Sequence, residues 1–277
     1  MGWELPALGA MLSMLFMLPL AMKWKIVGLP AFAGAAAASV AAALPLSWIY
    51  PLCETNIKVA VCVLGQIGLA LTLGSAMIML RFWRDPERVP PAEDGIVISA
   101  ADGKVVYTRT VDEGSTPLVT KGGKDYLLQE LTGTHLLANA AHVIGVEMNL
   151  LDVHVTRCPI AGQVKLQKRI KGKFMSLRKD EAPFINERLT TVIDNGALSA
   201  AVVQVASRLV RRVESYWSVG ETVGAGQRLG MIRFGSLVAV VLPQRGDVRI
   251  EVKPGDRVTA GVSVLARYEV SDVRGAR

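Results

Sequence analysis

Three long runs without charge open the chain. Residues 5–22, 26–53 and 59–80 hold 18, 28 and 22 residues, bounded by Glu4, Lys23, Lys25, Glu54, Lys58 and Arg81. A bilayer-spanning helix takes about 20 apolar residues. The second and third runs reach that length, and the first stands at its lower edge. Pro30, Pro45 and Pro51 fall in the second run, which predicts a kinked or partly interfacial helix there. A cleaved signal peptide is not expected, because the basic pair Lys23 and Lys25 follows the first run instead of preceding it. Three such runs within 80 residues are too many for a buried core, so the pattern predicts a membrane anchor over residues 1–83.

The segment Arg84-Asp85-Pro86-Glu87-Arg88-Val89-Pro90-Pro91 reads as a linker, and beyond it the apolar runs become short. Residues 96–99, 104–108, 143–148, 153–156 and 164–166 read as strands with polar or Gly punctuation. One helix is expected over residues 200–216. There Val203, Ala206, Leu209, Val210 and Val213 recur at helical spacing, with Arg208, Arg211 and Arg212 on other faces. The C-terminal third holds a weak repeat. Gly220-Glu221-Thr222-Val223-Gly224-Ala225-Gly226 matches Gly255-Asp256-Arg257-Val258-Thr259-Ala260-Gly261, and a strand pattern follows each. These turns resemble those of biotinyl/lipoyl-type barrels, as do Ala101-Asp102-Gly103-Lys104-Val105 and Pro159-Ile160-Ala161-Gly162-Gln163-Val164. The expected fold is a mainly β (α+β) domain over 84–277 with biotinyl/lipoyl-like barrel elements, joined to N-terminal transmembrane helices.

Charge orients this picture. Of 31 Lys+Arg and 24 Asp+Glu, residues 1–80 hold three and two, which leaves 28 against 22 beyond them. Lys/Arg flank the cytoplasmic ends of spans, so Lys23, Lys25, Arg81, Arg84 and Arg88 predict three spans with the N-terminus outside and everything after Leu80 on the cytoplasmic side. A two-helix hairpin with residues 5–22 on the surface is the rival arrangement. A basic domain at a bilayer suits anionic headgroups. Its densest cluster is Lys165, Lys168, Arg169, Lys171, Lys173, Arg178 and Lys179, which reads equally as a solvated loop. No recognition motif accompanies the charge, so nucleic acid is not an expected partner. Cys53, Cys62 and Cys158 suggest no disulfide framework. His135, His142 and His154 have no metal-ligand spacing. A homo-oligomer is compatible with a small membrane-bound protein.

Candidate chemistry starts at Gly235-Ser236, which separates the apolar run 229–234 from 237–243. A Gly-Ser pair there fits a two-residue hairpin turn. A Ser held in a tight link can also attack its own backbone. Such a Ser needs a base, and the base is best oriented by a carboxylate. His154 and Asp102 stand beside strand-like runs, but Asp before Gly usually makes a turn, and a lone strand His is often structural. Spacing alone does not bring the three together.

A family resemblance extends the reading. Phe82-Trp83-Arg84-Asp85-Pro86-Glu87-Arg88, Ala101-Asp102-Gly103-Lys104-Val105, Asp152-Val153-His154-Val155-Thr156-Arg157, Asn186-Glu187-Arg188 and Gly226-Gln227-Arg228-Leu229-Gly230-Met231-Ile232-Arg233-Phe234-Gly235-Ser236 occur in that order. The set resembles the short, pyruvoyl-dependent (type A) phosphatidylserine decarboxylase proenzymes, over about residues 81–243. Ala100 stands where that family usually has Pro, and Leu189 where it more often has Asn.

The resemblance implies self-processing. Ser236 attacks Gly235, with His154 as base and Asp102 orienting it, and the ester then eliminates. The products are a β chain of residues 1–235 and an α chain of residues 236–277, headed by a pyruvoyl cofactor made from Ser236. That group forms a Schiff base with phosphatidylserine at the bilayer. Carbon dioxide then leaves, and His154 reprotonates the carbanion to give phosphatidylethanolamine. Archaetidylserine would serve the same chemistry. A non-enzymatic barrel adaptor or carrier is the main alternative, but no lipoyl-type Lys hairpin or long heptad region supports it. A membrane-bound Ser hydrolase is a third, which intermolecular peptide cleavage would favour.

Overall fold

The computed structural model describes residues 3–23, 29–53, 55–112, 119–121, 124–126, 128–134, 140–176, 181–207, 213–232 and 237–270. The chain forms two compact units, Met1–Arg84 with Asn149–Leu151, and Asp85–Met148 with Asp152–Arg277.

In the first unit the uncharged runs form α1 (Glu4–Lys23), α2 (Leu29–Leu46) and α3 (Asn56–Phe82), with a 3-10 turn at Tyr50–Leu52. All three are long and apolar enough to cross a membrane. Small residues let them pack closely: Ala31, Ala35, Ala38, Ala42 and Ala43 are buried on α2. A Cβ at Gly74 would collide with Met17. Gln66 of α3 is fully buried, accepting from Tyr50 Oη and donating to the Pro6 carbonyl, each at 2.9 Å. Thr55 caps α3 by accepting from the Lys58 amide.

The second unit contains, in chain order, β1 (Ile96–Ile98), β2 (Gly103–Val111), β3 (Val119–Lys121), β4 (Lys124–Tyr126), α4 (Leu128–Thr132), β5 (Ala141–Glu147), β6 (Val155–Arg157) and β7 (Gly162–Ile170). It continues through α5 (Ala182–Ile185), β8 (Arg188–Asp194), β9 (Ser199–Val205), β10 (Val213–Ser215), β11 (Thr222–Val223) and β12 (Arg228–Ile232). It ends with β13 (Leu237–Pro243), β14 (Arg249–Ile250), β15 (Arg257–Val258) and β16 (Val264–Arg267). Eight strands form a curled antiparallel half-barrel in the order β11-β7-β8-β9-β13-β5-β2-β15. Two three-stranded sheets, β10-β12-β6 and β1-β16-β14, complete a mixed α+β domain, with β3 and β4 paired as a ribbon.

Both faces of the large sheet are covered. One packs Val105, Val146, Val164, Val202 and Val240 against Val97, Leu229, Ile232 and Leu265. The other packs Val143, Val192, Val203 and Val241 against Leu128 and Leu131 of α4 and Phe184 of α5. This two-sided burial corrects the helix expected over 200–216. The segment instead supplies β9 and, beyond residues 208–212, which lie outside the described set, β10. A central strand buried on both faces loses the polar alternation that marks a half-exposed strand, so its apolar positions match a helical template by chance.

The strand pairings also reveal a duplication. The order of the large sheet maps onto itself about the β9–β13 pair, and β10-β12-β6 maps onto β14-β16-β1. Registers follow. Val105 opposite Val146 corresponds to Val164 opposite Ile193, and each ladder shifts register at the next step. The Gly220–Gly226 and Gly255–Gly261 repeats carry β11 and β15, the two edge strands of the large sheet. Their backbone bonds correspond: Gly220 N–H donates to Val164 O and Gly255 N–H to Val105 O, each at 2.8 Å.

The hairpin expected at Gly235-Ser236 is also corrected. β12 pairs with β10 and β6, whereas β13 lies between β9 and β5. The two strands that flank Gly235-Ser236 therefore do not pair with each other, and residues 233–236 themselves lie outside the described residues.

Candidate active site

His154 lies immediately before β6 and is fully buried. Its carbonyl accepts from the Ile232 amide at 3.1 Å, which sets it beside the end of β12, four residues before Ser236. Its Nδ1 lies 2.8 Å from the Asp152 carbonyl. A carbonyl only accepts, so Nδ1 carries the proton and Nε2 of the neutral ring carries the lone pair. Burial pushes the imidazole down to about 4, against the Asp152 carbonyl bond and the charge of Asp102, which both raise it. At neutral pH the residue is therefore an uncharged base.

Asp102 lies in the turn that starts β2 and is nearly buried. Gly103 follows at φ 148°, and a Cβ there would strike the Glu147 carbonyl, so the turn demands glycine. Arg88 grips the carboxylate with both ends of its guanidinium, Nη1 to Oδ1 at 2.5 Å and Nη2 to Oδ2 at 2.8 Å. The Ala260 amide donates to Oδ1 at 2.8 Å and the Val153 amide to Oδ2 at 3.4 Å. Asp102 thus holds the backbone next to His154 and reaches the imidazole through its charge.

Arg88 belongs to a strap over Asp85–Arg88 that ion pairs fasten down. Asp85 meets Arg157 Nη2 at 3.3 Å and Arg228 Nε at 2.5 Å, and Glu87 meets Arg228 Nη2 at 2.5 Å. Arg157 also donates to Pro86 O and Gly226 O, at 2.8 and 2.9 Å. The sequence showed Arg157 and Arg228 only as members of the family motifs, and Arg88 there and among the charges that flank the spans. Their function as ties between distant segments had no local signal. Asp152 was likewise quoted in a motif without a role, and it supplies the carbonyl that sets the His154 tautomer.

Gly235 and Ser236 lie outside the described residues, as do His135, Arg178 and Lys179. Asp102 and His154 are described, and Val153 joins them. Asn186 and Arg188 are spent on structure. Asn186 exchanges hydrogen bonds with Met175 and donates to Ala206 O. Arg188 donates to the carbonyls of Glu130, Leu131, Phe184 and Asn186. In the basic cluster, Lys165 bonds Gln163, Lys168 bonds the Gly133 carbonyl, and Arg169 pairs with Glu187, while Lys171 and Lys173 are exposed. Burial raises the Cys158 thiol to about 12, which leaves it un-ionised and a poor nucleophile.

Comparison with known proteins bears on this arrangement. The phosphatidylserine decarboxylase family profile matches residues 76–266. A phosphatidylserine decarboxylase proenzyme of Symbiobacterium thermophilum is 36% identical over 199 residues, covering 72% of this chain and 82% of its own. One from Geobacter metallireducens is 34% identical over 226 residues, covering 78% and 93%. A candidate archaetidylserine decarboxylase proenzyme of Methanocaldococcus jannaschii is 38% identical over 185 residues, covering 67% and 87%. With a buried neutral histidine beside the strand that leads to Gly235-Ser236, and a match across most of the second unit, the chain belongs to the phosphatidylserine decarboxylase family of decarboxylase proenzymes.

Proposed function

We propose that this chain is a membrane-anchored, pyruvoyl-dependent phosphatidylserine decarboxylase that cuts itself between Gly235 and Ser236. The observation that carries the proposal is His154. Its neutral tautomer presents Nε2 as a base, and its backbone bonds the strand that runs into the cleavage link. Nε2 takes the proton of Ser236 Oγ as that oxygen attacks the Gly235 carbonyl carbon. Gly235 has no Cβ to hinder the approach. The C–N bond breaks as that proton passes to nitrogen, which leaves an ester; elimination releases residues 1–235 and 236–277 as β and α chains, and water then replaces the nitrogen of the dehydrated Ser236 with a keto oxygen, releasing ammonia.

The residues fit a carbonyl group made from Ser236. The neighbouring base is fully buried, uncharged and ready to exchange a proton. Such a pyruvoyl group supplies a carbonyl that captures the substrate amine and takes up the electrons left as carbon dioxide departs. His154 then returns a proton to the substrate carbon. Residues 1–83 anchor the enzyme through two or three spans, and 84–277 form the catalytic domain on the cytoplasmic face of the inner membrane. Lys/Arg placement supports that orientation. The relatives act, by their names, on phosphatidylserine or archaetidylserine, which share a serine headgroup.

The deciding measurement is the mass of the C-terminal fragment from active, membrane-bound protein. It should correspond to residues 236–277 with a keto N-terminus that reacts with an amine plus borohydride. Active material consisting of one uncleaved chain would overturn the proposal. Vesicles containing each lipid, assayed for carbon dioxide release, separate the two substrates.

A further inference from the structure

The first unit brings together two thiols whose spacing along the chain carried no signal. Cys53 Sγ and Cys62 Sγ lie 3.1 Å apart, and both residues are half-buried. Each stands on a fixed element. Cys53 ends the 3-10 turn, where its amide donates to the Tyr50 carbonyl at 3.0 Å. Cys62 stands in the second turn of α3, behind the Thr55 cap.

The thiols belong to a contact with two rungs. Side chains three apart share a face of a 3-10 turn, and side chains four apart share a face of an α-helix. Tyr50 and Cys53 have the first spacing, and Cys62 and Gln66 have the second. One rung is the hydrogen bond from Tyr50 Oη to Gln66 Oε1, at 2.9 Å, and the thiol pair is the other. The first rung is constrained on every side. Gln66 is fully buried, and Gly9 makes room for its amide, because a Cβ there would strike Gln66 Oε1. Losing Tyr50 as donor would leave that buried oxygen unanswered, which is costly.

A metal does not account for the two sulfurs, since among the described residues no third His, Cys, Asp or Glu joins them. Compartment decides whether thiols that meet stay reduced. Disulfides persist outside the cytoplasm and are rare within it. With everything after Leu80 on the cytoplasmic side, the N-terminal end of a spanning α3 faces outward, whether or not α1 also spans.

We propose that Cys53 and Cys62 form a disulfide at the outer face of the membrane, which staples the 3-10 turn to α3 and fixes Tyr50 on Gln66. This rests on the orientation proposed above. The oxidant is an exchangeable disulfide of the cell envelope. One cysteine, as thiolate, attacks a sulfur of that disulfide and displaces the carrier's other sulfur as a thiolate. The second cysteine then attacks the mixed disulfide and releases the remaining carrier sulfur. Two thiols lose two protons and two electrons, and the carrier gains both as a dithiol. From 3.1 Å, a small side-chain shift brings the sulfurs to the bonding separation of about 2.05 Å. Cys158, buried in the second unit, stays a thiol.

The test uses full-length protein in the membranes of bacterial cells quenched in acid. After denaturation, free thiols are blocked with a light maleimide. Disulfides are then reduced and labelled with a heavy one, and peptides are read by mass. Cys53 and Cys62 should carry only the heavy label, and Cys158 only the light one. Light label on Cys53 and Cys62 would overturn the proposal. Sidedness is read on Cys62→Ala in sealed right-side-out vesicles, where Cys53 should react with a membrane-impermeant maleimide. If that variant fails to insert, exposed Lys58 of the parent reports the same face through an impermeant amine reagent. Reaction only after the vesicles are opened rejects the orientation and, with it, the proposal. Reaction from outside, with light label on the parent pair, rejects the pairing alone. Reductant should also lower the thermal midpoint of the parent by several degrees and leave Cys53→Ala/Cys62→Ala unmoved. A parent midpoint that ignores reductant would overturn the staple.

Discussion

At the head of β7, Ala161-Gly162-Gln163 makes the turn that Asp102-Gly103-Lys104 makes at the head of β2. The correspondence continues across the pseudo-two-fold. His154 corresponds to Gly95: Ile232 N–H donates to the first carbonyl at 3.1 Å, and Tyr268 N–H to the second at 2.8 Å. Ser236, one residue before β13, corresponds to Leu198, one residue before β9. One position therefore gathers Asp102, His154, Thr156, Gln204 and the approach to Ser236. The other carries Ala161, Gly95, Val97, Leu242 and Leu198. The apolar position shows what the architecture needs, so the polar set in the other reflects chemistry.

Making the polar position resemble the apolar one breaks the comparison most directly. Ser236→Ala should leave the proenzyme whole, read as one band on a denaturing gel. His154→Ala removes the base and should slow cleavage about 10²- to 10⁴-fold. In the parent, cleavage should be flat with pH above about 5 and fall roughly tenfold per unit below 4, as Nε2 becomes protonated. Stability follows the same group. The folded value of about 4 lies below the ordinary 6.5. The unfolded chain therefore binds more protons between these values. About 3 kcal/mol present above pH 6.5 is lost as pH falls to 4. Denaturant titrations of parent and His154→Ala over that range measure it, and parallel pH profiles would reject the burial argument.

Next in size is the Arg88–Asp102 pair, whose side chains are 9% and 12% exposed. Arg88→Ala strands a nearly buried carboxylate and should cost about 3–5 kcal/mol in denaturant unfolding. Adding Asp102→Ala, which supplies the residue found at Ala161, removes both charges and should recover most of that loss. Cleavage should stay impaired in the double variant. A double variant as unstable as the single would mean that the strap matters for packing instead of charge.

How much of this was legible in the sequence depended on range. The three apolar helices were readable because span length is a local property, and β1, β2, β5, β6, β7, β12 and β13 each carried an apolar run of their own. The glycine repeats were visible because positive φ restricts the residue choice at Gly220, Gly226, Gly255 and Gly261. The duplication behind them was hidden, since equivalent core positions share burial but not identity, as with Gln204 and Leu242. β9 was misread because both its faces are covered. In the site, Asp102 and His154 were singled out by motif. The Arg88 clamp ties Asp102 to the Ala260 carbonyl, a contact between distant segments that periodicity does not report, and the Asp152 carbonyl bond, though only two residues long, depends on backbone geometry that residue types alone do not give.

Smaller effects sharpen the duplication itself. Gly103 and Gly162 have φ of 148° and 155°, and a Cβ on either would strike a carbonyl, that of Glu147 or Asp194. Gly103→Ala and Gly162→Ala should each cost about 1–3 kcal/mol, within error of one another. Only Gly103→Ala, next to Asp102, should also slow cleavage. Equal slowing by both would show that strain anywhere in the sheet reaches the site.

The smallest expected effect is at Arg228, which corresponds to Val264 across the pseudo-two-fold. Its side chain is 36% exposed while it pairs with Asp85 and Glu87, and Glu87 is 82% exposed. Water and salt screen such a pair, so its strength should lie far below that of Arg88–Asp102 despite similar distances. Arg228→Val should cost no more than about 1 kcal/mol, and the difference from the parent should shrink as ionic strength rises. Denaturant midpoints at low and high salt test this. A loss comparable to Arg88→Ala, insensitive to salt, would mean that the strap acts as one cooperative network, because Arg228 and the more buried Arg157 share the Asp85 carboxylate.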